Sequence, residues 1–351
     1  MSQEQLYSNV LVKVSVEKSH LLTKEKFSRL LNSKNLVEYV SELKETIYGQ
    51  ELERLMLPYT TNKLERVFRE NFIETCIKIV RNSPDIVSKF LRTYLIKFEH
   101  ENIKTILRAV STGLPFDEIK KRLYLNLETF LERKEIILKA AMAIQVKLVV
   151  EVLQNTVYGP SLVLGLKKYE ETGSTKYFDI LLDRMFYENV GELYKNLPKN
   201  EREHAFFYVS NIVDRFNILT ILRAKLLGYE PHWIRVALAH NFYNISKETI
   251  EQLLMADNFK SALEIIKKSN YAKLFDKTVI DEEKLAKVEK EFRQKILLNI
   301  TKLRFGDPFN IGTPLDFIFR KEIESYNLTA LSIGIEYNWK KDDISRLLIQ
   351  I

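Results

Sequence analysis

Residues that break or cross-link a chain are scarce in this sequence. Its 351 residues include 10 glycines, 8 prolines and one cysteine, Cys76. A single cysteine excludes an intrachain disulfide and a metal cluster held by several thiolates, and it is typical of a reducing compartment. Since a chain of this length built from strands would need many more turn residues, the low glycine and proline content predicts helices joined by short loops. We therefore expect an all-α fold, with Cys76 as a small core residue.

Motifs for nucleotide and metal chemistry are also missing. The sequence contains no GxxxxGK[ST] phosphate loop, no GxGxxG turn and no HExxH pair. Only His232 and His240 lie near each other among the histidines, and they lack the carboxylate or cysteine pattern of a metal site. An acid–base role is conceivable for Glu99, His100 and Glu101, but a solvated helix face is the stronger interpretation. We expect no catalytic residues, no cofactor and no metal.

The sequence predicts no membrane-spanning segment. The most apolar window, Ile136–Leu153, is interrupted by two lysines, a glutamine and a glutamate, whereas a span needs about 20 mainly apolar residues. The polar N-terminus lacks the basic-then-apolar layout of a signal peptide. We expect a soluble chain whose contact with a membrane is peripheral or made through a partner.

An octapeptide occurs almost unchanged at two places in the chain. Asn102–Ala109 reads NIKTILRA and Asn217–Ala224 reads NILTILRA, 115 residues further on. Apolar residues in both copies recur with the period of an α-helix, which predicts one buried helix face. Gly113 and Gly228 follow the two copies at the same distance, each with a proline shortly after it. This order is typical of a helix end, so each copy should be the last part of a helix.

A weaker third copy lies near the C-terminus. Asn327–Gly334 reads NLTALSIG, 110 residues after the second copy. Gly334 stands in place of the final alanine, Ile333 in place of the arginine, and Asn338 in place of the helix-ending glycine. Because the arginine is lost, a ligand-binding role shared by all three copies is the weaker interpretation.

A second landmark recurs upstream of each copy. The sequence reads TIYG at Thr46–Gly49, TVYG at Thr156–Gly159 and SNYA at Ser269–Ala272. From each tyrosine to the asparagine of the next octapeptide copy there are 54, 59 and 56 residues. Several landmarks in one order and at similar spacing indicate tandem duplication. We predict three helical repeats of about 110 residues, with the bounds 1–128, 129–243 and 244–351.

The repeated asparagines and arginines have different expected roles. Asparagine is a poor residue inside a helix because its side chain competes for backbone hydrogen bonds. Its recurrence predicts a fixed polar partner, such as a loop backbone of the same repeat. Arg108 and Arg223 lie near a helix C-terminus, where a cation suits the helix dipole, and we also consider pairing with Glu65 or Asp183. The expected packing residues are Asn102, Arg108, Gly113, Asn217, Arg223, Gly228, Asn327 and Gly334.

The net charge is +7 at pH 7, from 54 basic and 47 acidic residues. This excess is compatible with nucleic acid, anionic lipid or acidic protein partners, although a mixed solvated surface is the stronger interpretation. Short basic stretches follow the repeat helices in corresponding places and could contact acidic partner loops or lipid heads. These candidate contacts are Lys120, Lys121, Arg122, Arg235, Lys340 and Lys341.

Together these patterns resemble a known family. The repeated N-[IL]-x-T-[IL]-L-R-A-x(3)-G motif, the opening LYSNVLVKVSVEKSHLL (Leu6–Leu22) and the late segment GTPLDFIFRKEIESYNLTAL (Gly312–Leu331) are similar to the C subunit of archaeal A-type (V/A-type) ATP synthases. The d subunit of the vacuolar proton pump (vacuolar ATPase) is its counterpart. One departure is Val12–Val14, where the family usually carries an arginine.

The resemblance implies an all-α body of three pseudo-symmetric lobes arranged as a funnel. Such a protein is non-catalytic and belongs to the central stalk, or rotor. It links the D and F subunits of the stalk to the membrane proteolipid ring (the c or K/L subunit) on the cytoplasmic face of the cell membrane. There it transmits torque between proton or other ion transport and ATP synthesis or hydrolysis. The alternatives are an α-helical repeat scaffold for protein–protein interaction and a basic helical nucleic-acid-binding protein.

Overall fold

The fold is helical throughout the part of the chain that a computed structural model describes, residues 3–275, 282–303 and 307–349. No strand occurs in these residues, so the predicted all-α class is confirmed. One 3-10 turn spans Ala272–Leu274. The α-helices α1 to α19 are, in chain order, Gln3–Ser19, Lys24–Leu31, Leu36–Leu43, Gly49–Glu53, Thr61–Arg81, Asp85–Ser111, Phe116–Lys120, Leu125–Phe130, Lys134–Ala141, Val146–Leu153, Gly159–Thr172, Lys176–Lys195, Lys199–Leu226, Pro231–Ala237, Lys247–Met255, Phe259–Ile266, Glu282–Leu303, Gly312–Glu336 and Lys341–Leu347.

The chain divides into two compact units, and both are discontinuous in sequence. Unit 1 consists of Met1–Ser88, Pro198–Tyr208 and Ala286–Ile351. Unit 2 consists of Lys89–Leu197 and Val209–Leu285. These units follow packing rather than sequence similarity, and the division into three repeats stays a prediction.

Unit 1 has a core built from both ends of the chain. Helix α18 packs along α5, and it also contacts α1, α2, α3 and α19. The rings of Tyr48 and Phe68 meet edge to face, with centroids 5.4 Å apart, and Leu328 and Leu331 of α18 belong to the same buried cluster. Cys76 is 1% exposed, which confirms the prediction of a small core residue.

Unit 2 has a core in which the first octapeptide copy takes a central place. Ile103, Ile106 and Leu107 are fully buried and pack in one cluster with residues of α9 to α12. The corresponding apolar residues of the second copy, Ile218, Ile221 and Leu222, are buried as well. The predicted buried helix face is therefore confirmed in both copies.

The most apolar sequence window is not one long helix. Ile136–Leu153 falls in α9 and α10, which are separate short helices. In the described part of the chain, one helix is long and apolar enough for a membrane span by length and composition, Lys199–Leu226. Within the protein, 72% of its apolar window is buried. Core helices of globular proteins combine length and burial in this way.

The ends of the three octapeptide helices share one backbone geometry. The residues at the predicted stop have positive φ angles, 71° in Gly113, 72° in Gly228 and 54° in Asn338. In each case the next N–H donates to the carbonyl five residues earlier, as in the bond from Trp339 to Gly334 at 2.8 Å. This is the left-handed helix end that glycine and asparagine favour, so the predicted stop signals are confirmed.

Replacing Gly113 should reveal how much of this helix end depends on backbone conformation alone. A Cβ atom at Gly113 meets nothing within 4 Å, so only the left-handed φ angle opposes a side chain. We expect Gly113→Ala to lower the free energy of unfolding by about 1 kcal/mol and Gly113→Asn by less. Urea denaturation measures both, with Thr112→Ala as the exposed control. Equal losses for alanine and asparagine would contradict this explanation.

Candidate functional site

Each octapeptide asparagine is buried, and its side-chain oxygen accepts a hydrogen bond from the backbone N–H of the residue 22 positions further on. Asn217 accepts from the N–H of Ala239 (2.9 Å) and donates to its carbonyl (3.0 Å). Asn327 does the same with Ile349, at 2.9 and 2.8 Å. These bonds hold the segment that follows each helix end against the helix itself. The predicted fixed polar partner is confirmed.

The first copy differs in one bond. Asn102 accepts from the N–H of Tyr124 at 2.9 Å, as the other two copies would predict. Its amide nitrogen instead donates to a carboxylate oxygen of Glu128, at 2.6 Å. Glu128 is fully buried. The first copy therefore carries a titratable group where the others have backbone.

A carboxylate lies three residues before every octapeptide asparagine, at Glu99, Asp214 and Glu324. All three are fully buried. Each accepts a hydrogen bond from the hydroxyl of a tyrosine in the second landmark: Tyr158 donates to Glu99, Tyr271 to Asp214 (2.8 Å) and Tyr48 to Glu324 (2.7 Å). We call these three contacts the carboxylate–tyrosine pairs.

The second landmark has a local reason for its residue types. In Thr46–Gly49 the Thr46 hydroxyl donates to the carbonyl of Leu43 and accepts from the N–H of Tyr48. Thr156 and Ser269 make the same two bonds in the other landmarks. A Cβ on Gly49 would lie 2.1 Å from the carbonyl oxygen of Lys44. The landmark is thus a turn that aims its tyrosine into the core.

Each carboxylate–tyrosine pair is completed by different donors. Arg133 reaches Glu99 at 2.8 Å. Lys321, itself 1% exposed, reaches Glu324 at 2.6 Å. Asp214 instead accepts from three successive backbone N–H groups, those of Tyr243, Asn244 and Ile245. Burial raises the pKa of Asp214 to about 6 in spite of these bonds.

The cluster Glu99, His100 and Glu101 is not the solvated face that the sequence favoured. Glu99 and His100 are buried, because the helix turns them toward Tyr158 in the core of unit 2. Burial raises the pKa of Glu99 and lowers that of His100 to about 3. Burial and the nearby Glu99 raise the pKa of Glu128 to about 8. These buried groups therefore serve internal packing.

Replacing Glu128 with glutamine should remove a pH dependence of stability. The pKa of Glu128 is near 4.5 in the unfolded chain and about 8 in the folded protein. Between these pH values the folded state therefore holds the proton more tightly. Its free energy of unfolding therefore falls as pH rises through this range. We expect Glu128→Gln to equal the parent chain at pH 4 and to exceed it at pH 9, by on the order of 3 kcal/mol. Thermal unfolding from pH 4 to 9 measures this, and parallel curves would contradict it.

The predicted partners of Arg108 are wrong. Arg108 reaches Asp179 at 2.7 Å, while Asp183 is held by Lys104 at 2.5 Å. Lys104 lies one helical turn before Arg108, and Asp183 lies one turn after Asp179 on α12. Lys104 therefore pairs with Asp183, and Arg108 pairs with Asp179. Glu65 pairs within its own helix. Arg223, in the second copy, is exposed and lines a groove beside α12.

The six candidate partner contacts lie on the surface, on or beside the short helices α7, α14 and α19. Lys121 pairs with Glu118 at 2.6 Å, and Arg235 binds Glu251 through two bonds of 2.6 and 2.7 Å. Lys341 donates to the Asn32 side chain at 2.7 Å. Lys120, Arg122 and Lys340 are also exposed. Their role toward partners stays a prediction.

Sequence reasoning missed the carboxylate–tyrosine pairs, although two signals were present. An acid stands at the same distance before all three asparagines, and a tyrosine stands in all three landmarks.

For metal ligation, His240 lies 2.7 Å from Glu188. Over residues 3–275, 282–303 and 307–349, no group of three or more His, Cys, Asp or Glu side chains is arranged to hold a metal ion.

Comparison with known proteins bears directly on this arrangement. The family model of the ATP synthase (C/AC39) subunit matches residues 10–347. The chain belongs to this family. The match covers all three octapeptide copies and all three landmarks. Members of the family are non-catalytic subunits of the complex.

Individual relatives support the same assignment. The C subunit of the A-type ATP synthase of Methanocaldococcus jannaschii is 27% identical over 98% of this chain and 86% of the relative. The protein of that name from Pyrococcus furiosus is 23% identical over 93% of this chain and 85% of its own length. That from Methanococcoides burtonii is 24% identical over 98% and 94%. Similarity therefore extends along nearly the whole chain in each case.

Proposed function

We propose that this chain is a central-stalk component of the rotor in a rotary A-type ATP synthase. It joins the foot of the stalk to the membrane proteolipid ring and transmits torque between ion transport and ATP synthesis or hydrolysis. The observation that carries the proposal is the family match over residues 10–347, which leaves little of the chain for another activity. Its place is the cytoplasmic face of the membrane, reached through its partners.

The internal construction of the chain suits a part that must transmit force. The carboxylate–tyrosine pairs and the asparagine contacts tie distant segments to three long helices. Buried, satisfied polar contacts favour one packing arrangement over its alternatives. Their threefold recurrence supports the proposal of three pseudo-symmetric lobes, which would give similar surfaces to a ring and a stalk.

The proposed partners are the D and F subunits of the stalk on one side and the proteolipid ring on the other. The exposed cations of α7, α14 and α19, with their neighbours, are candidates for these contacts because exposed charges steer and orient acidic partners. A partnership with nucleic acid is not proposed, because the model of an ATP synthase subunit family covers residues 10–347.

Disulfide cross-linking in the assembled complex tests the rotor assignment. Cys76 is buried, so a cysteine introduced at exposed Lys121 would be the accessible thiol. We expect the chain to purify with the stalk and ring proteins in detergent. We also expect a disulfide, formed under oxidising conditions between Lys121→Cys and a cysteine introduced into a stalk or ring protein, to leave ATP hydrolysis intact, because rotor parts turn together.

The contrary outcomes are distinct. A chain that elutes apart from the complex, or only with ribonuclease-sensitive material, would reject membership in the assembly. A chain that stays in the complex but stops hydrolysis when it is cross-linked to the ring would reject the rotor role. Charge reversal at Lys120, Lys121 and Arg122, with retention on the complex as the readout, then tests the surface cations.

A further inference from the structure

Unit 2 carries an apolar groove at the end of the second octapeptide helix. The groove has a volume of about 470 Å³ and runs between α12, the end of α13 and α14. Its apolar lining includes Tyr177, Ile180, Leu227, Tyr229, Trp233 and Val236. Leu227 is 68% exposed and Tyr229 50% exposed, so two large side chains face water at its rim. Preformed apolar clefts of this size are typical of binding sites.

The apolar lining is not required by the repeated fold. The second copy keeps the shared residues Thr220, Arg223 and Ala224, which match Thr105, Arg108 and Ala109 of the first copy. At four other groove positions the first copy differs. Leu227, Tyr229, Trp233 and Val236 of the second copy correspond there to Thr112, Leu114, Glu118 and Lys121. The same helix end thus forms with polar residues at three of the four in the first copy. In the third copy Tyr337 and Trp339 replace Leu227 and Tyr229, but Asp343 and Arg346 stand in place of Trp233 and Val236. Trp233 and Val236 are therefore the apolar groove residues that only the second copy carries.

The charged residues that line the groove are all basic. Lys176 and Arg223 are the charged residues that line it, and no aspartate or glutamate is among the described lining residues. Lys168 lies over the Trp233 ring, 5.1 Å from its centroid, and also pairs with Glu171 at 2.6 Å. Asp179, on α12 but not among the lining residues, is paired with Arg108. An occupant that carries carboxylates beside apolar groups would therefore meet complementary charge.

We propose that this groove docks a segment of another protein of the complex, with apolar anchor residues flanked by carboxylates. Tryptophan, tyrosine and arginine dominate the binding energy of protein interfaces, and Trp233, Tyr177, Tyr229 and Arg223 provide all three types. A groove between helices accommodates the spaced anchors of an amphipathic helix. The inference rests on the proposed function only in placing the partner within the complex.

The test uses the full chain and a complex from which this chain has been removed. The double variant Leu227→Thr/Tyr229→Ser changes exposed groove residues, and Trp233→Glu introduces the residue that the first copy has there. We expect each to bind the depleted complex at least about tenfold more weakly than the parent chain. Ile144→Thr is the matched control, because Ile144 is 80% exposed and lies outside the groove. Circular dichroism confirms that each variant is folded.

A photo-reactive phenylalanine analogue at Leu227 identifies the occupant. We expect cross-links to one protein segment that has apolar residues next to aspartate or glutamate. Unchanged binding of the double variant, with no protein cross-link at Leu227, would overturn the groove proposal while the parent chain still assembles. If the parent chain itself fails to bind the depleted complex, the proposed function fails instead.

Vesicles distinguish a lipid occupant from a protein one. We expect the parent chain and the double variant to float equally with vesicles of phosphatidylcholine and phosphatidylglycerol. If the double variant loses vesicle binding and keeps its affinity for the depleted complex, the groove serves a membrane surface and the docking proposal is rejected. Lys176→Glu should weaken binding to the complex, and less so at high salt.

Discussion

Lys321→Met should lower the free energy of unfolding of unit 1 by about 3–5 kcal/mol, one of the largest effects expected for a single substitution in this chain. Lys321 and Glu324 are 1% and 0% exposed, and their charged atoms lie 2.6 Å apart. The lysine also donates to the Tyr48 hydroxyl at 2.8 Å. Methionine keeps the volume of the stem but leaves the carboxylate buried without its cation. Urea denaturation followed by hydrogen exchange in α18 measures the loss.

A second substitution separates charge from packing in this pair. Lys321→Met/Glu324→Gln removes both charges and keeps an acceptor for the Tyr48 hydroxyl, so most of the lost stability should return. Lys121→Met is the matched control, because Lys121 makes an ion pair of the same length with Glu118 on the surface. It should leave the unfolding midpoint unchanged. A double variant no more stable than Lys321→Met alone would show that the loss is one of packing.

Asn217→Ala is the second large effect, with an expected loss of about 2–4 kcal/mol. The substitution leaves the N–H and the carbonyl of Ala239 without their partner in a fully buried place. Each unpaired buried backbone group costs about 1–3 kcal/mol. The segment before α15 should also exchange its amide protons faster, because Asn217 holds it to α13. Denaturant melts and hydrogen exchange of residues 238–246 measure the two effects.

The control for this variant is an asparagine with an exposed side-chain bond. Asn82 donates to the carbonyl of Lys78 at 2.8 Å on the surface. Asn82→Ala should cost well below 1 kcal/mol, because water replaces the lost bond. A similar loss in both variants would mean that burial of Asn217 contributes nothing. Unchanged exchange in residues 238–246 would contradict the proposed tie to α13.

The local parts of this fold are readable from the sequence because they depend on near neighbours. Helix stops at Gly113, Gly228 and Asn338 follow from the conformational freedom of those residues. The buried face of the octapeptide follows from its period. The need of Asn102 and Asn217 for a polar partner follows from the cost of leaving an amide unpaired in a helix. None of these inferences requires knowledge of which helices meet.

The long-range contacts cannot be predicted from the sequence, because they depend on which helices meet in the fold. The repeat pattern groups each landmark tyrosine with the octapeptide that follows it, yet Tyr158 bonds to Glu99 of the preceding helix. Tyr48 bonds to Glu324, which lies 276 residues away. Neither pairing can be predicted from a single sequence, because any buried carboxylate can accept a hydrogen bond from any tyrosine hydroxyl. For the same reason the sequence suggests Asp183 as the partner of Arg108, whereas the arginine binds Asp179, one turn away on the same helix.

The separation of Tyr48 from Glu324 has a consequence for synthesis on the ribosome. The pairs of unit 2 close loops of 59 and 57 residues, whereas the pair of unit 1 spans 276. Closing the longer loop costs only about 1.4 kcal/mol more in entropy, but it has to await the emergence of α18. Unit 2 can therefore complete its core on the nascent chain while the apolar faces of α3 and α5 stay uncovered. During synthesis those early helices therefore expose apolar surface until α18 emerges, and exposed apolar surface of this kind favours aggregation.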